Sequence, residues 1–137
     1  MLVSSSGFVF FAMYMAKVFA LRRKPTLALR QRKGLLLRLL AQSPRAALRA
    51  SYVERFTTCG KPNCRCRLGS KHGPFYFLTQ CLAPGHIQKF LLKSEPQRRE
   101  AQAGIAQYSR FYDTLEELSQ INAELLRRGE PLDSDPA

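Results

Sequence analysis

The chain has 137 residues, which is enough for one small domain with a modest hydrophobic core. Its 22 lysines and arginines outnumber 10 acidic residues, giving a formal net charge of +12, and four cysteines are too few for a disulfide scaffold. The charge is uneven: residues 1–93 contain 17 basic side chains and one acid, Glu54, whereas residues 94–137 contain 5 basic and 9 acidic ones. Nucleic acid, the commonest cellular polyanion, is therefore the expected partner, with a solubilising surface or an acidic protein partner as alternatives.

The N-terminal segment is the most apolar part of the chain. Its uninterrupted apolar run, residues 8–16, has nine residues, far fewer than the ~20 that span a bilayer. Positive charge follows this run instead of preceding it, unlike in a signal peptide. Because Met15 opens an ordinary basic start, we expect residues 1–14 to be an apolar extension upstream of the true start. We therefore expect a cytoplasmic protein with no membrane partner; export is the alternative.

Two helices are predicted before the first strand. Residues 26–42 show the helical period of an amphipathic helix. The leucines predicted to share its buried face are Leu29, Leu36, Leu39 and Leu40. The basic side chains predicted to face solvent are Arg30, Arg32, Lys33 and Arg38. Ser43 and Pro44 suit the N-cap and first turn of a second, short helix through residue 50.

The middle of the chain predicts a small antiparallel sheet. Residues 51–57 alternate as a strand does, and residues 74–81 are rich in aromatic side chains. Pro84 and Gly85 suit the centre of a type II turn, after which residues 87–93 return as a third strand.

One long helix is predicted from residue 95 to residue 128, ended by Gly129. Its seam of three- and four-residue spacing consists of Tyr108, Phe111, Leu115, Leu118, Asn122 and Leu125. Such a seam favours pairing with a second copy or a partner helix. The alternative is an amphipathic helix packed on its own sheet.

The predicted fold class is α+β, a three-stranded antiparallel sheet with an N-terminal basic helix and a long C-terminal helix. A winged-helix-like arrangement is the alternative. We expect one domain over residues 15–128 and an acidic tail over residues 129–137.

The segment CGKPNCRCRLGSKHGP, residues 59–74, contains the chemistry-bearing side chains. The long loop predicted here is rare in a small domain unless something organises it. Three thiolates and an imidazole would suit a tetrahedral zinc ion. The candidate ligands are Cys59, Cys64, Cys66 and His72. Cys81 or solvent is the alternative fourth ligand, and a loop of reduced thiols without metal is the alternative to the site.

A nucleophilic or redox cysteine is the competing interpretation, since nearby positive charge lowers the pKa of a thiol. A nucleophile also needs a base and a group that orients the base. His72 is the only nearby base, and no acid lies between Glu54 and Glu95. We therefore expect no enzyme activity.

Basic side chains surround the candidate metal ligands and would contact phosphates. Four lie in the loop and three outside it. The predicted nucleic-acid-binding residues are Lys61, Arg65, Arg67, Lys71, Arg45, Arg49 and Lys89. Tyr76 and Phe77 are candidate stacking platforms for single strands; the alternative is that they simply occupy the two faces of a strand.

The motif that joins CGKPNCRC to KHGPFYFL resembles a family of small bacterial proteins of unknown function. These proteins carry a pattern similar to CGKPxCxC followed by HGPYYYL, and they are often encoded beside or fused to transposases. The likeness runs over residues 30–128, with Phe75 and Phe77 where the family tends to have Tyr or Trp. It implies an accessory DNA-binding role in a mobile element and a transposase as partner. A protein-interaction adaptor, acting through the C-terminal helix, is the alternative function.

Overall fold

A computed structural model describes residues 5–42 and 44–133. Its elements in chain order are α1 (Ser5–Arg22), α2 (Thr26–Ala41), β1 (Ser51–Thr57), a 3₁₀ turn (Arg65–Leu68), β2 (His72–Ala83), β3 (His86–Leu91) and α3 (Glu95–Arg127). The strands form one antiparallel sheet in the order β1–β2–β3. The predicted α+β class, with a three-stranded antiparallel sheet and a long C-terminal helix, is confirmed.

The chain forms two compact units. One comprises the described residues 5–42 and 111–133, which we call the helical unit, and the other comprises residues 44–110, which we call the sheet unit. None of the helices in the described ranges combines the length and apolar content that crossing a bilayer requires.

The core of the helical unit consists of leucines and an isoleucine from α2 and α3. The buried side chains are Leu29, Leu36, Leu118, Ile121 and Leu125. Leu40 packs against this cluster, but Leu39 is 44% exposed, so three of the four predicted leucines face the core. Leu39 lies about 80° around the helix from the line through the other three, because each residue turns the helix by ~100°.

The predicted seam of α3 is only partly buried. Leu118 and Leu125 lie in the core, together with Ile121, which is off the seam. Leu115, on the seam, is 47% exposed. The buried stripe of this half of α3 therefore follows the face that packs with the α2 leucines.

Two basic side chains of α2 form salt bridges with acidic residues of the C-terminal region, and a third donates to a backbone carbonyl there. Arg32 donates two hydrogen bonds to Glu117, at 2.6 and 2.7 Å, and Arg30 donates to Glu130 at 2.7 Å. Lys33 donates to the carbonyl of Leu132. Thus Arg30 and Lys33 are partly buried, not solvent-facing as predicted, because they have partners within the chain. Arg38 is exposed, as predicted.

Strand register divides the side chains of the sheet between two faces. Leu78 of β2 is paired with Tyr52 of β1 and Phe90 of β3, so these three side chains share one face, as paired residues do. The predicted turn joins β2 and β3, with Gly85 at φ +77°.

One face of the sheet carries the core of the sheet unit, and we call it the inner face. Its buried residues are Leu78, Leu92 and Ala101, with Ala50, Tyr52, Tyr76 and Ile105 packed against them. The rings of Tyr52 and Tyr76 stack at 5.6 Å, and the guanidinium of Arg98 lies 4.8 Å from the centre of the Tyr76 ring. The first turns of α3 therefore cover the inner face.

The short helix predicted from Pro44 to residue 50 is wrong. The structure has a turn at residues 45–46 and extended chain after it, and the predicted N-cap, Ser43, lies outside the described residues. The Leu48 N–H donates to the carbonyl of Gly104 in α3 at 2.9 Å, and the Ala46 N–H donates to Gln107 Oε1 at 3.3 Å. The bond to α3 thus takes the Leu48 N–H, which a helix beginning at Pro44 would have paired with the Pro44 carbonyl.

Substitution of Gly104 tests this close approach to α3. A Cβ at Gly104 would lie 2.5 Å from the carbonyl oxygen of Ala46, so we expect Gly104→Ala to lower the free energy of unfolding by about 1–3 kcal/mol. Gly34 is the matched control, since it is also helical but a Cβ there meets nothing within 4 Å. Gly34→Ala should stabilise the protein by about 1 kcal/mol. Chemical denaturation measures both, and equal effects would contradict the assigned contact.

Glu124 is expected to make the stability of the helical unit depend on acid pH. It is 7% exposed and accepts hydrogen bonds from Arg127 and Arg128. The Arg127 hydrogen bonds are the largest cause that lowers the pKa of Glu124 from its ordinary value of 4.5 to about 2. A pKa lowered by folding means that this contribution is complete above about pH 4.5 and is lost as the pH falls towards 2.

The measurement is the melting temperature of Glu124→Gln and of the native chain between neutral pH and about pH 2. The variant should melt several degrees lower at neutral pH, and the difference should shrink as the pH falls. For Glu116→Gln, at an exposed position of the same helix, the difference in melting temperature from the native chain should not change with pH in this way. A pH-independent difference for Glu124→Gln would contradict the assignment.

Candidate metal centre

Strand pairing closes the base of the cysteine loop. His72, the first residue of β2, is the register partner of Thr57, the last residue of β1. The register shifts between Arg55 and Thr57, and Gly73 lies opposite this irregularity with φ +136°. A Cβ on Gly73 would lie 2.8 Å from the Arg55 carbonyl oxygen, so glycine is needed where the two strands meet. The predicted strand from residue 74 therefore begins two residues earlier and includes His72.

Two successive turns fold the cysteines towards one another. The Cys64 N–H donates to the carbonyl of Lys61 at 3.3 Å, which closes a turn at Pro62 and Asn63. The 3₁₀ turn Arg65–Leu68 follows and buries Cys66, which is 2% exposed. The Cys59 N–H donates to Cys66 Sγ at 3.5 Å, which ties the start of the loop to the 3₁₀ turn.

The four predicted ligands converge on one point. Their three Sγ atoms and a ring nitrogen of His72 all lie within 4.8 Å of one another. Cys59 Sγ is 3.6 Å from Cys66 Sγ, and Cys64 Sγ is 3.2 Å from His72 Nε2. Around a tetrahedral zinc ion with ordinary bond lengths, two sulfurs lie about 3.8 Å apart, and a sulfur and a nitrogen about 3.6 Å apart. The four residues therefore lie close enough to hold a metal ion.

Cys81, the alternative fourth ligand, is not part of this group. Its Sγ donates instead to the carbonyl of Ala83 at 3.3 Å, near the hairpin turn. The geometry therefore gathers the three loop cysteines with His72 and leaves Cys81 out.

The loop carries exposed positive charge and no acidic residue. Lys61, Arg65, Arg67 and Lys71 are all exposed. An open cleft of ≈480 Å³ is lined by Pro62, Asn63, Cys64, Arg65, Arg67 and Leu68. A divalent ion bound to three thiolates and a neutral imidazole leaves a net charge of about −1, which these cations exceed. The outside of the loop is therefore electropositive even with a metal bound.

The other predicted nucleic-acid-binding residues lie outside the loop. Arg45 and Arg49 are exposed on the segment before β1, and Arg49 donates to the carbonyl of Cys81 at 2.9 Å. Lys89 is on β3, with its Nζ 4.1 Å from the centre of the Phe77 ring. The seven residues are thus distributed over the loop, the segment before β1 and the sheet.

Two residues next to the loop were missed by the sequence-based site prediction. Arg55 and Phe75 are register partners on β1 and β2, close to the pairing of Thr57 with His72. Both are exposed. The alternation of β1 and β2 was the available signal, since it places Arg55 and Phe75 on the face opposite Tyr52 and Leu78.

The two candidate stacking residues, Tyr76 and Phe77, occupy opposite faces of β2. Tyr76 lies on the inner face, between the Tyr52 ring and the Arg98 guanidinium. Its ring is therefore already engaged within the chain. Phe77 lies on the other face, beneath the ammonium group of Lys89.

The matched family region contains every candidate metal ligand. Residues 26–80 match the family model of a domain of unknown function (DUF6788). This region runs from α2 through the cysteine loop and most of β2, and it ends before β3 and α3. No curated protein and no solved structure matches the chain. The match thus shows a similarity over the region of the site, to a domain whose function is unknown.

Metal analysis tests the geometry of this site. We expect one metal ion per chain, with removal by a chelator making the three loop thiols reactive. Cys64→Ser should abolish binding of that ion because it removes one of four ligands. Cys81→Ser, which changes a thiol outside the group, should keep the full content. Metal content and thiol titration measure both, and a native chain without metal, or equal loss in the two variants, would contradict the assignment.

Proposed function

We propose that the protein is a non-enzymatic nucleic-acid-binding module whose cysteine loop is organised by a structural zinc ion. The observation that carries this proposal is the gathering of four metal-ligating atoms in a loop whose exposed charges are all positive. Thiolate and imidazole ligands favour zinc over magnesium or calcium, which prefer oxygen. Four protein ligands leave no position open for a reacting water, as is typical of structural zinc sites.

The zinc ion would have a structural role, which is to fix the conformation of the loop. The loop between β1 and β2 has only one short 3₁₀ turn, so its backbone would pay a large entropic cost to hold one shape. Ligands at Cys59 and His72, near the two ends, and at Cys64 and Cys66, near the middle, would fix that shape. The metal would thereby hold Lys61, Arg65, Arg67 and Lys71 at constant separations from one another.

These cations would bind phosphate groups. Arg65 and Arg67 line the open cleft beside the metal ligands, where a phosphate oxygen could accept from a guanidinium. Such contacts release counterions from the nucleic acid, so affinity should depend steeply on salt concentration. Contacts of this kind position a protein without selecting a sequence, and none of these residues specifies a base.

DNA and a mobile element are the setting that we propose for this binding. The support is the likeness of CGKPNCRC and HGPFYFL to proteins encoded beside transposases. An accessory protein of this kind would act in the bacterial cytoplasm, with the transposase or a second copy as its partner. The alternative of an adaptor acting through α3 has less support, because Leu118 and Leu125 of the seam pack within the chain.

Salt dependence tests the role of the loop arginines. We expect the double variant Arg65→Ala, Arg67→Ala to reduce the slope of log affinity for duplex DNA against log salt concentration by about 2, one for each phosphate contact. The measurement is fluorescence anisotropy of a labelled duplex at several salt concentrations.

The control for this slope is Arg99→Ala. Arg99 is an exposed arginine of α3, outside the loop, and it donates to Glu95 at 3.1 Å. This variant should leave the slope unchanged. A slope that the loop variant does not alter would remove the loop from the binding surface, and a native chain that binds no DNA or RNA would overturn the proposed function.

A further inference from the structure

We propose that the sheet face opposite α3, which we call the outer face, binds the bases of a single-stranded nucleic acid. This inference rests on the proposed function and deepens it, since it names the strand form and a second part of the binding surface. It is carried by the side chains that strand register brings together on this face.

The outer face is a mixture of exposed and half-buried apolar, aromatic and basic side chains. Register pairs Phe77 with both Val53 and Leu91, Phe75 with Arg55, and Thr79 with Lys89. The side chains that define the face are Val53, Arg55, Phe75, Phe77, Lys89 and Leu91. Neither these residues nor the other paired positions of this face include an acid, since Glu54 lies on the inner face.

Within the sheet unit, side chains of the outer face remain open to solvent. Phe75 and Leu91 are each 37% exposed, and Ile87, which is paired with Cys81 on the same face, is 68% exposed. Contiguous exposed apolar side chains of this kind indicate a binding surface. The core of the sheet unit lies on the inner face, so the aromatic residues of the outer face have no core to fill.

Cations accompany the rings in the arrangement that a nucleotide needs. The Lys89 ammonium covers the ring of the half-buried Phe77, so the exposed Phe75, which is paired with Arg55, is the ring on which a base would stack. A base stacked on an aromatic ring would therefore have a cation within reach of its phosphate. The outer face also begins next to the loop, because Phe75 lies only three residues after the candidate ligand His72 on β2.

Single-stranded nucleic acid fits this face better than a duplex does. A duplex keeps the flat sides of its bases stacked inside and offers phosphates to a protein surface, which would leave the apolar side chains unmatched. An unpaired strand can turn its bases outwards onto aromatic side chains. A second copy docked face to face would instead bring Arg55 and Lys89 towards like charges with no acid to offset them.

The test compares two phenylalanines on opposite faces of the sheet with nearly equal exposure. Phe75 on the outer face is 37% exposed, and Phe90 on the inner face is 40% exposed. Phe75→Leu keeps apolar volume but removes the ring, so we expect it to weaken binding of a single-stranded oligothymidine by about fivefold or more. Duplex affinity should change by less. Phe90→Leu should leave both affinities unchanged, and Phe75→Tyr, which keeps a ring, should retain single-strand affinity.

Fluorescence anisotropy with labelled oligothymidine and a labelled duplex measures these affinities, and melting temperatures verify that each variant folds. If Phe75→Leu and Phe90→Leu bind oligothymidine as the native chain does, the inference that the outer face binds single strands is overturned while the proposed function stands. Equal weakening towards both strand forms would also overturn the inference. If light scattering shows a dimer that Phe75→Leu dissociates, the face is an interface between copies. A native chain that binds neither probe removes both proposals together.

Discussion

The pairing of Thr57 with His72 is the constraint on which the site depends. It brings the two ends of the cysteine loop together, so that Cys59, two residues beyond β1, meets His72 at the start of β2. The chain between them then needs only the turn at Cys64 and the 3₁₀ turn at Cys66 to bring all four ligand atoms within 4.8 Å. Gly73 makes this pairing possible, because any side chain there would collide with the Arg55 carbonyl.

The distribution of charge within the chain gives the basic loop its distinct character. Although α2 is as basic as the loop in sequence, the carboxylates of Glu117 and Glu130 offset Arg32 and Arg30 within the helical unit. The loop has no acid near it in sequence, and its cations are exposed. The basic residues of α2 therefore contribute less positive potential than their number suggests. The exposed cations of the loop contribute more of the positive potential that the net charge of +12 implies.

Local patterns predicted most of the elements, and contacts between distant segments account for what they missed. Helical period and end signals located α2 and α3, and alternation with a Pro84–Gly85 turn located the sheet. The segment before β1 was predicted as a helix because Pro44 is a local signal, whereas its hydrogen bonds go to Gly104, far along the chain. The metal ligands were predicted by residue type, but which of them converge depends on strand register.

The small core of the sheet unit is a reason why a structural metal ion would stabilise this fold. Its core cluster is small, with Leu78, Leu92 and Ala101 as its buried members, and it lies on the inner face. A sheet with one covered face gains limited hydrophobic stabilisation, and a long loop adds an entropic cost of ordering. Metal binding contributes directly to the folding free energy when the site forms only in the folded state. A metal ion in the loop would thus stabilise the sheet at the end where β1 and β2 meet. The outer face could then remain without a core packed on it.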